Sequence, residues 1–166
     1  MAGEIEIRWA RGPEDVAAAF RVREQVFCVE QGVPREEELD GLDEQALHLL
    51  AFERDEPASA AGSREQAEGE RPIGTLRLLL AGEQAKIGRV AVEADRRRRG
   101  LASQMLEQAL ARARDSGARR ARLAAQVVAV ALYERAGFAV ESEPFDDAGI
   151  AHVWMGRSLV PPAPHA

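Results

Sequence analysis

The sequence predicts an α/β fold, in which one mixed sheet of seven strands is interleaved with helices. Residues 86–113 change from a short apolar, β-branched run to apolar positions spaced three or four apart, as in a strand followed by an amphipathic helix. Three strand-like runs, over residues 46–53, 72–80 and 86–92, are separated only by segments without a hydrophobic period. Such a series predicts an antiparallel meander.

The first part of the chain adds a strand and a helix. Residues 4–9 alternate polar and apolar side chains, and a proline and two acids at 13–15 open a helix that ends at Gly32. Residues 35–44 form an acidic loop, which is either a solvated surface segment or a wall of an acceptor pocket that attracts a cationic amine. Residues 55–70 are rich in Ala, Gly, Ser and Glu, and we expect a mobile hairpin tip.

The last part of the chain completes the sheet. We expect a strand, a short helix and two further strands, over residues 121–125, 127–135, 139–145 and 150–155. Residues 1–160 are expected to form one domain, because 166 residues with 46% apolar and 30% charged side chains suit a single globular unit. Residues 161–166 contain three prolines and are expected to be a disordered tail.

Composition narrows the class of function. The formal net charge of −6 argues against a general nucleic-acid binder. No apolar run approaches the roughly 20 residues of a membrane span, and the N-terminus lacks the pattern of a secretory signal. The single cysteine, Cys28, rules out an internal disulfide and sits among apolar residues as a core side chain rather than a nucleophile. We therefore expect a cytoplasmic protein without a metal, and we leave a homodimer open.

The turn after residue 92 is the best candidate for a ligand site. Four successive arginines, Arg96 to Arg99, precede Gly100 at the start of the central helix. The first N–H groups of a helix and the positive end of its dipole favour an anion, above all a phosphate. Gly100 allows close approach of the backbone, and Ala102 keeps the next turn slim. A solvated arginine-rich loop is the alternative, and the residues alone leave the two interpretations about even.

Two motifs resemble hallmarks of the GNAT superfamily of N-acetyltransferases. Its acyl-CoA signature, Arg/Gln-x-x-Gly-x-Gly/Ala after a strand, has its counterpart in Arg-Arg-Arg-Gly-Leu-Ala at residues 97–102. Its second hallmark, Tyr-x-x-x-Gly-Phe at a helix end, resembles residues 133–138. The resemblance covers nearly the whole chain. It implies the GNAT fold, a seven-stranded, mostly antiparallel sheet with helices on both faces.

Other segments are similar to the ElaA-like branch of this superfamily. They are residues 20–31, Asp-Gly-Leu-Asp at 40–43, His48, and residues 147–155 with their Gly-Ile-x-His-x-x-Met pattern. The resemblance implies transfer of acetyl from acetyl-CoA directly to a primary amine, on a small molecule or a peptide. It does not name that acceptor.

The resemblance also implies site residues. Those expected to bind acetyl-CoA are Val90, Ala91, Val92, Arg97, Arg98, Arg99, Gly100, Leu101, Ala102, Gln126 and Tyr133. Gln126 stands where many members have Asn. Tyr133 would protonate the departing thiolate, unless it only packs the helix end.

Many GNAT enzymes place a carboxylate on the fourth strand as the general base, but the strand at 86–92 carries none. The sequence therefore leaves the base open. The candidates are Glu30, Asp40, Asp43, His48 and His152. His152 lies in a matching motif, and the unperturbed pKa of histidine suits proton transfer near neutrality. The candidate catalytic residues are therefore Tyr133, His152 and Glu30.

Three other functions compete with acetyl transfer. A regulatory module could bind acyl-CoA without catalysis, and an acyl-homoserine-lactone-type synthase shares the fold. Nucleic-acid binding through residues 96–99 is disfavoured by the acidic net charge.

Overall fold

The computed structural model describes residues 3–54 and 69–161. The strands are β1 (Glu4–Trp9), β2 (Leu47–Arg54), β3 (Glu70–Ala81), β4 (Gln84–Val92), β5 (Arg120–Gln126), β6 (Ala139–Val140), β7 (Phe145–Asp147) and β8 (Ile150–Ser158). The helices are α1 (Pro13–Arg23), continued by a π-helix (Glu24–Glu30), α2 (Arg35–Glu38), α3 (Leu101–Asp115) and α4 (Val130–Arg135). The predicted hairpin tip and tail lie outside the described residues, apart from residues 69, 70 and 161.

The sheet is mixed, as predicted. Its strand order is β1-β2-β3-β4-β5-β8-β6, and β7 also pairs with β8. Strands β1 to β4 form an antiparallel meander, β4 and β5 are parallel, and β5 and β8 are antiparallel. The expected meander and the mixed α/β class are therefore confirmed.

One predicted strand, residues 139–145, is divided into two, so the sheet has eight strands instead of seven in the described part of the chain. Ser142 leaves the ladder there, since its Oγ accepts a hydrogen bond from the Trp154 N–H at 2.8 Å and its hydroxyl donates to the Glu143 carbonyl at 3.0 Å. Pro144 follows and has no N–H to donate. Strand pairing resumes at Phe145.

Helices cover both faces of the sheet, as expected. The apolar side of α3, with Met105 and Leu106 fully buried, packs on the face that carries Leu49 and Ile73. On the other face, residues of α1 contact Leu50 and Phe52 of β2. Burying each large apolar side chain contributes about 1.5–3 kcal/mol relative to exposure. The positions of α1 and α3 are thus set by the apolar spacing that the sequence displays.

The first helix changes its winding before it ends. After Arg23 it continues as a π-helix, where the Gln31 N–H donates to the Val26 carbonyl, five residues back, at 3.1 Å. Gly32, with φ of +73°, follows directly. The sequence predicted the extent of this helix but not the wider winding. As a result, Glu30 and Gln31 lie at the end of the helix, beside the sheet.

Candidate active site

A gap opens between β4 and β5. The two strands pair only where residues 84–86 lie beside residues 120–122. Beyond Lys86, the described part of β4 is paired with β3 alone. An unpaired strand edge can bind an extended ligand through backbone N–H and C=O groups, as an added strand would. The residues on this edge include Val90, Ala91 and Val92.

A β-bulge turns this edge of β4 into the gap. Gly88 lies opposite Arg77 and Ala91 lies opposite Thr75, so β4 has one residue more than β3 over this stretch. Arg89, in the bulge, has a φ of +52°. The extra residue also reverses the facing of the side chains: Ile87 packs in the core on the α3 side, whereas Ala91 packs against α1.

The gap ends at the N-terminus of α3. Gly100, the residue before the helix, has φ of +77° and provides no side-chain cap, and Arg98 is also left-handed with φ of +64°. The first N–H groups of α3 therefore have no capping side chain in the described part of the chain. A Cβ at Gly100 would meet no atom within 4 Å, so there is space before the helix. These residues fit a phosphate group.

The four arginines of this turn divide into two pairs. Arg96 binds Glu53 at 2.5 and 2.8 Å, and this hydrogen bonding lowers the pKa of Glu53. Arg97 binds Glu30 at 2.6 and 2.8 Å and donates from Nε to the Val92 carbonyl at 2.8 Å. The other two are exposed and form no ion pair with the described carboxylates; they are Arg98 and Arg99. Those two are the arginines available to bind phosphates.

Two glutamines join across the mouth of the gap. The Gln126 side chain donates to Gln31 at 3.0 Å, and the Gln31 side chain donates back at 3.3 Å. Gln126 was expected from the family resemblance to bind the cosubstrate, whereas no role was predicted for Gln31, although it lies in the ElaA-like segment. The amide pair links the end of the π-helix to the end of β5.

Tyr133 lies on α4 with its ring enclosed. It is 7% exposed, and its ring meets the edge of Phe138 with the ring centres 6.3 Å apart. Burial raises the pKa of Tyr133 to about 12. In the described part of the chain, the enclosed side-chain polar atoms without a partner are Arg8 Nε and Arg77 Nε. The Tyr133 hydroxyl forms no hydrogen bond with the described residues either. A protonated hydroxyl at such a place can act as an acid.

His152 lies next to Gln126 in the strand register. Its Nδ1 is 2.7 Å from the Ile150 carbonyl, and because a carbonyl only accepts, Nδ1 carries the hydrogen. In the neutral ring, Nε2 then has the free lone pair, which is what a general base requires. The ring stacks on Phe145 at 6.0 Å.

The other candidate bases are engaged. Glu30 binds Arg97, as described above. His48 is buried, and its Nε2 donates to the Asp43 carbonyl at 3.1 Å. Asp40 and Asp43 belong to a network of ion pairs that also contains Glu38.

The segment 35–44 was predicted as a loop, but its residues 35–38 form α2, and the ion pairs show that it is not simply solvated. Its inner carboxylates, Glu38, Asp40 and Asp43, bind three arginines from other elements, Arg23, Arg77 and Arg89. Hydrogen bonding from Arg77 holds the pKa of Asp40 far below its ordinary value. For Asp43, burial opposes ionisation, but hydrogen bonds from Arg23 and Arg77 outweigh it and lower the pKa. The charges of the inner acids are thus balanced by arginines, which argues against their attracting an amine.

The described ranges, 3–54 and 69–161, contain no group of three His, Cys, Asp or Glu side chains that could hold a metal ion. No helix in them is long and apolar enough to cross a membrane. Burial raises the pKa of the half-buried Cys28 thiol, which suits a packing role.

Comparison with known proteins agrees with this geometry. The chain matches the family described as "Acetyltransferase (GNAT) domain" over residues 14–159. It is 34% identical over 147 residues to the uncharacterized N-acetyltransferase YjcF of Bacillus subtilis, covering 88% of this chain and 94% of that protein. An acyl-CoA N-acyltransferase from Pseudomonas aeruginosa has a TM-score of 0.74 at 29% identity, over 93% of this chain and 99% of the other.

Escherichia coli ElaA has a TM-score of 0.73 at 22% identity, over 93% of this chain and 99% of its own, and is alike in fold. The gap, the uncapped helix and these relatives identify an acyltransferase that uses an acyl-CoA. The chain belongs to the GNAT family of acetyltransferases.

Proposed function

We propose that this protein transfers acetyl from acetyl-CoA directly to a primary amine of its acceptor, without an acyl-enzyme intermediate. The observation that carries the proposal is the open edge of β4 leading to the uncapped N-terminus of α3. Family membership supports the chemistry. A site that holds amine and thioester together needs no covalent relay, since proximity alone removes much of the barrier.

The backbone of β4 and the turn would hold the cosubstrate. The edge formed by Val90, Ala91 and Val92 suits the amide-bearing pantetheine arm, and the N–H groups of residues 97–102 suit the pyrophosphate. Arg98 and Arg99 can add charge-assisted hydrogen bonds to phosphate oxygens. When bound, acetyl-CoA supplies the activated acyl group. An N–H group on the β4 edge would stabilise the negative charge that develops on the carbonyl oxygen.

Two side chains would move the protons. His152 accepts the proton of the attacking amine at Nε2, directly or through a water molecule. Tyr133 gives its hydroxyl proton to the departing thiolate, and its raised pKa keeps that proton in place at neutral pH. Overall the amine loses one proton and the thiolate gains one, so the reaction balances.

Glu30 is better suited to positioning Arg97 than to acting as the general base. As a base it would have to leave the bidentate ion pair with Arg97. In place, it fixes Arg97, which also binds the Val92 carbonyl at the end of the gap. The contacts therefore favour His152 over Glu30 as the base.

A mixed acceptor pool tests the proposal. The protein is incubated with acetyl-CoA and polyamines, amino acids, aminoglycosides and peptides, and products gaining one acetyl group are detected by mass spectrometry. We expect at least one amine product, greatly reduced in the His152→Ala and Tyr133→Phe variants. Tight acetyl-CoA binding without any amine product would instead favour a non-catalytic module.

A further inference from the structure

The sheet has a second face beside the gap, which we call the open face. The burial of β5 and β8 alternates: Leu123, Ala125 and Val153 lie in the core on the α3 side, and the residues between them are half-buried or exposed. The open face consists of Lys86, Gly88, Arg122, Ala124, Gln126, Phe145, His152 and Trp154. Because α3 and its core fill the opposite side, the open face is the side from which an acceptor could reach the gap.

Two cations on this face share one aromatic ring. The Lys86 ammonium lies 5.4 Å from the centre of the Trp154 ring, and the Arg122 guanidinium carbon lies 4.3 Å from it. The two positive charges are thus within about 10 Å of each other, where like charges repel.

The described carboxylates balance these two cations only in part. Lys86, the single lysine of the sequence, forms no ion pair with a described carboxylate. Arg122 is 3.8 Å from Glu141, and that carboxylate is already bound by Arg120. An anion bound beside Lys86 and Arg122 would relieve their repulsion. The pair therefore favours an anionic group, which a carboxylate provides.

A row of rings connects this cation pair to the candidate base. Phe145 stacks on His152 at 6.0 Å and on Trp154 at 5.7 Å. His152 and Trp154 are two residues apart on β8, on the same side of the sheet, which places their backbones roughly 7 Å apart. An acceptor with its amine at His152 could thus reach the two cations with its other end.

The open face carries small residues between the cation pair and His152. Gly88 and Ala124 each stand two residues beyond the Lys86–Arg122 pair of the parallel ladder. A Cβ at Gly88 would meet no atom within 4 Å. There is thus room above the sheet at Gly88, and Ala124 adds only a methyl group beside it.

We infer that the acceptor is an amine whose far end carries a carboxylate, as in an amino acid with a long side chain or an ω-amino acid. The carboxylate binds Lys86 and Arg122 beside Trp154, the chain lies over Gly88 and Ala124, and the amine meets His152. This assignment rests on the proposed acetyl transfer. It makes Lys86 and Arg122 the residues that determine acceptor specificity.

Fluorescence of Trp154 tests binding without turnover. In the Trp9→Phe protein, Trp154 is the single tryptophan, and 6-aminohexanoate is titrated in the presence of CoA against its neutral amide and hexylamine. We expect saturable quenching by the carboxylate, with an affinity at least tenfold above that for the amide. Lys86→Met should abolish this difference. Arg114→Met, which removes a charge from an exposed position on α3, should preserve it.

Measurement of acetylation distinguishes a failure of the acceptor assignment from a failure of the proposed acetyl transfer. If amines are acetylated but carboxylate and amide have equal kcat/KM in wild type, the specificity assignment is wrong and the acetyltransferase stands. If the carboxylate binds as expected and no amine is ever acetylated, the site is supported and the proposed function fails. Equal binding of carboxylate and amide, or a dimer that buries Trp154, would overturn the inference.

Discussion

Replacing Tyr133 by phenylalanine isolates the acid of the proposed mechanism. The ring is 7% exposed and keeps its packing in the variant, so the change removes little besides the hydroxyl. With a pKa of about 12, about one molecule in a thousand is ionised at pH 9, so the proton is present throughout the useful pH range. General acid catalysis is worth about 10²–10⁴-fold, which sets the expected loss of kcat.

Steady-state kinetics, calorimetry and a thermal melt separate this role from a structural one. We expect kcat to fall by about 10²–10⁴ while the Kd for acetyl-CoA changes little, since the lost interaction acts in the transition state. The hydroxyl has no hydrogen-bond partner among the described residues. The free energy of unfolding of the variant should therefore lie within about 1 kcal/mol of that of the parent. A variant with kcat within about threefold of the parent would exclude Tyr133 from the mechanism. The proton would then come from water or from His152.

Three further predictions test the frame of the site. Gly100→Glu should abolish acetyl-CoA binding in calorimetry. Gly117→Glu, at another left-handed glycine with open space at the far end of α3, should bind acetyl-CoA normally. Equal affinities of the two variants would refute phosphate binding at residues 97–102. Arg89→Gly should be about 1 kcal/mol more stable to urea than Arg89→Ala, because alanine keeps the strain of a positive φ; the reverse order would contradict the bulge geometry. The pKa of Asp40 is lower folded than unfolded, so its contribution is present above pH about 4 and is lost as pH falls toward the folded pKa. Asp40→Asn should therefore show a flatter acid decline of unfolding free energy than wild type, and parallel curves would argue against this role.

Much of the frame could be predicted from local patterns. The spacing of apolar residues in α3 and the apolar runs of the meander determine which faces are buried. Each of these patterns can be recognised within a short segment of the sequence. The turn at residues 97–102 was predictable because all the residues that form the start of the helix are adjacent in the sequence. The extent of the domain, the tail, the cellular location and the oligomeric state remain predictions.

Long-range features could not be predicted in the same way. The π-helical winding before Gln31 has no recognised local signature, and the bulge lies at Arg89, an arginine where glycine would signal a positive φ. The ion pairs of the inner acids could not be predicted because their partners lie on other elements of the fold. Arg77, for example, is 37 residues from Asp40. A close pairing of that kind depends on the packed sheet rather than on any short segment.

The ion-pair network is better explained by geometry than by stability. Buried ion pairs contribute little net stability, and this one leaves Arg77 Nε enclosed without a partner, which costs about 1–3 kcal/mol. What the network achieves is to hold Arg89, whose guanidinium binds the Glu38 carbonyl at 2.8 Å and Asp40 at 3.3 Å. Arg89 is strained, so the bulge needs such an anchor. Through Arg89, the acidic segment 35–44 fixes the edge of β4 that faces the gap.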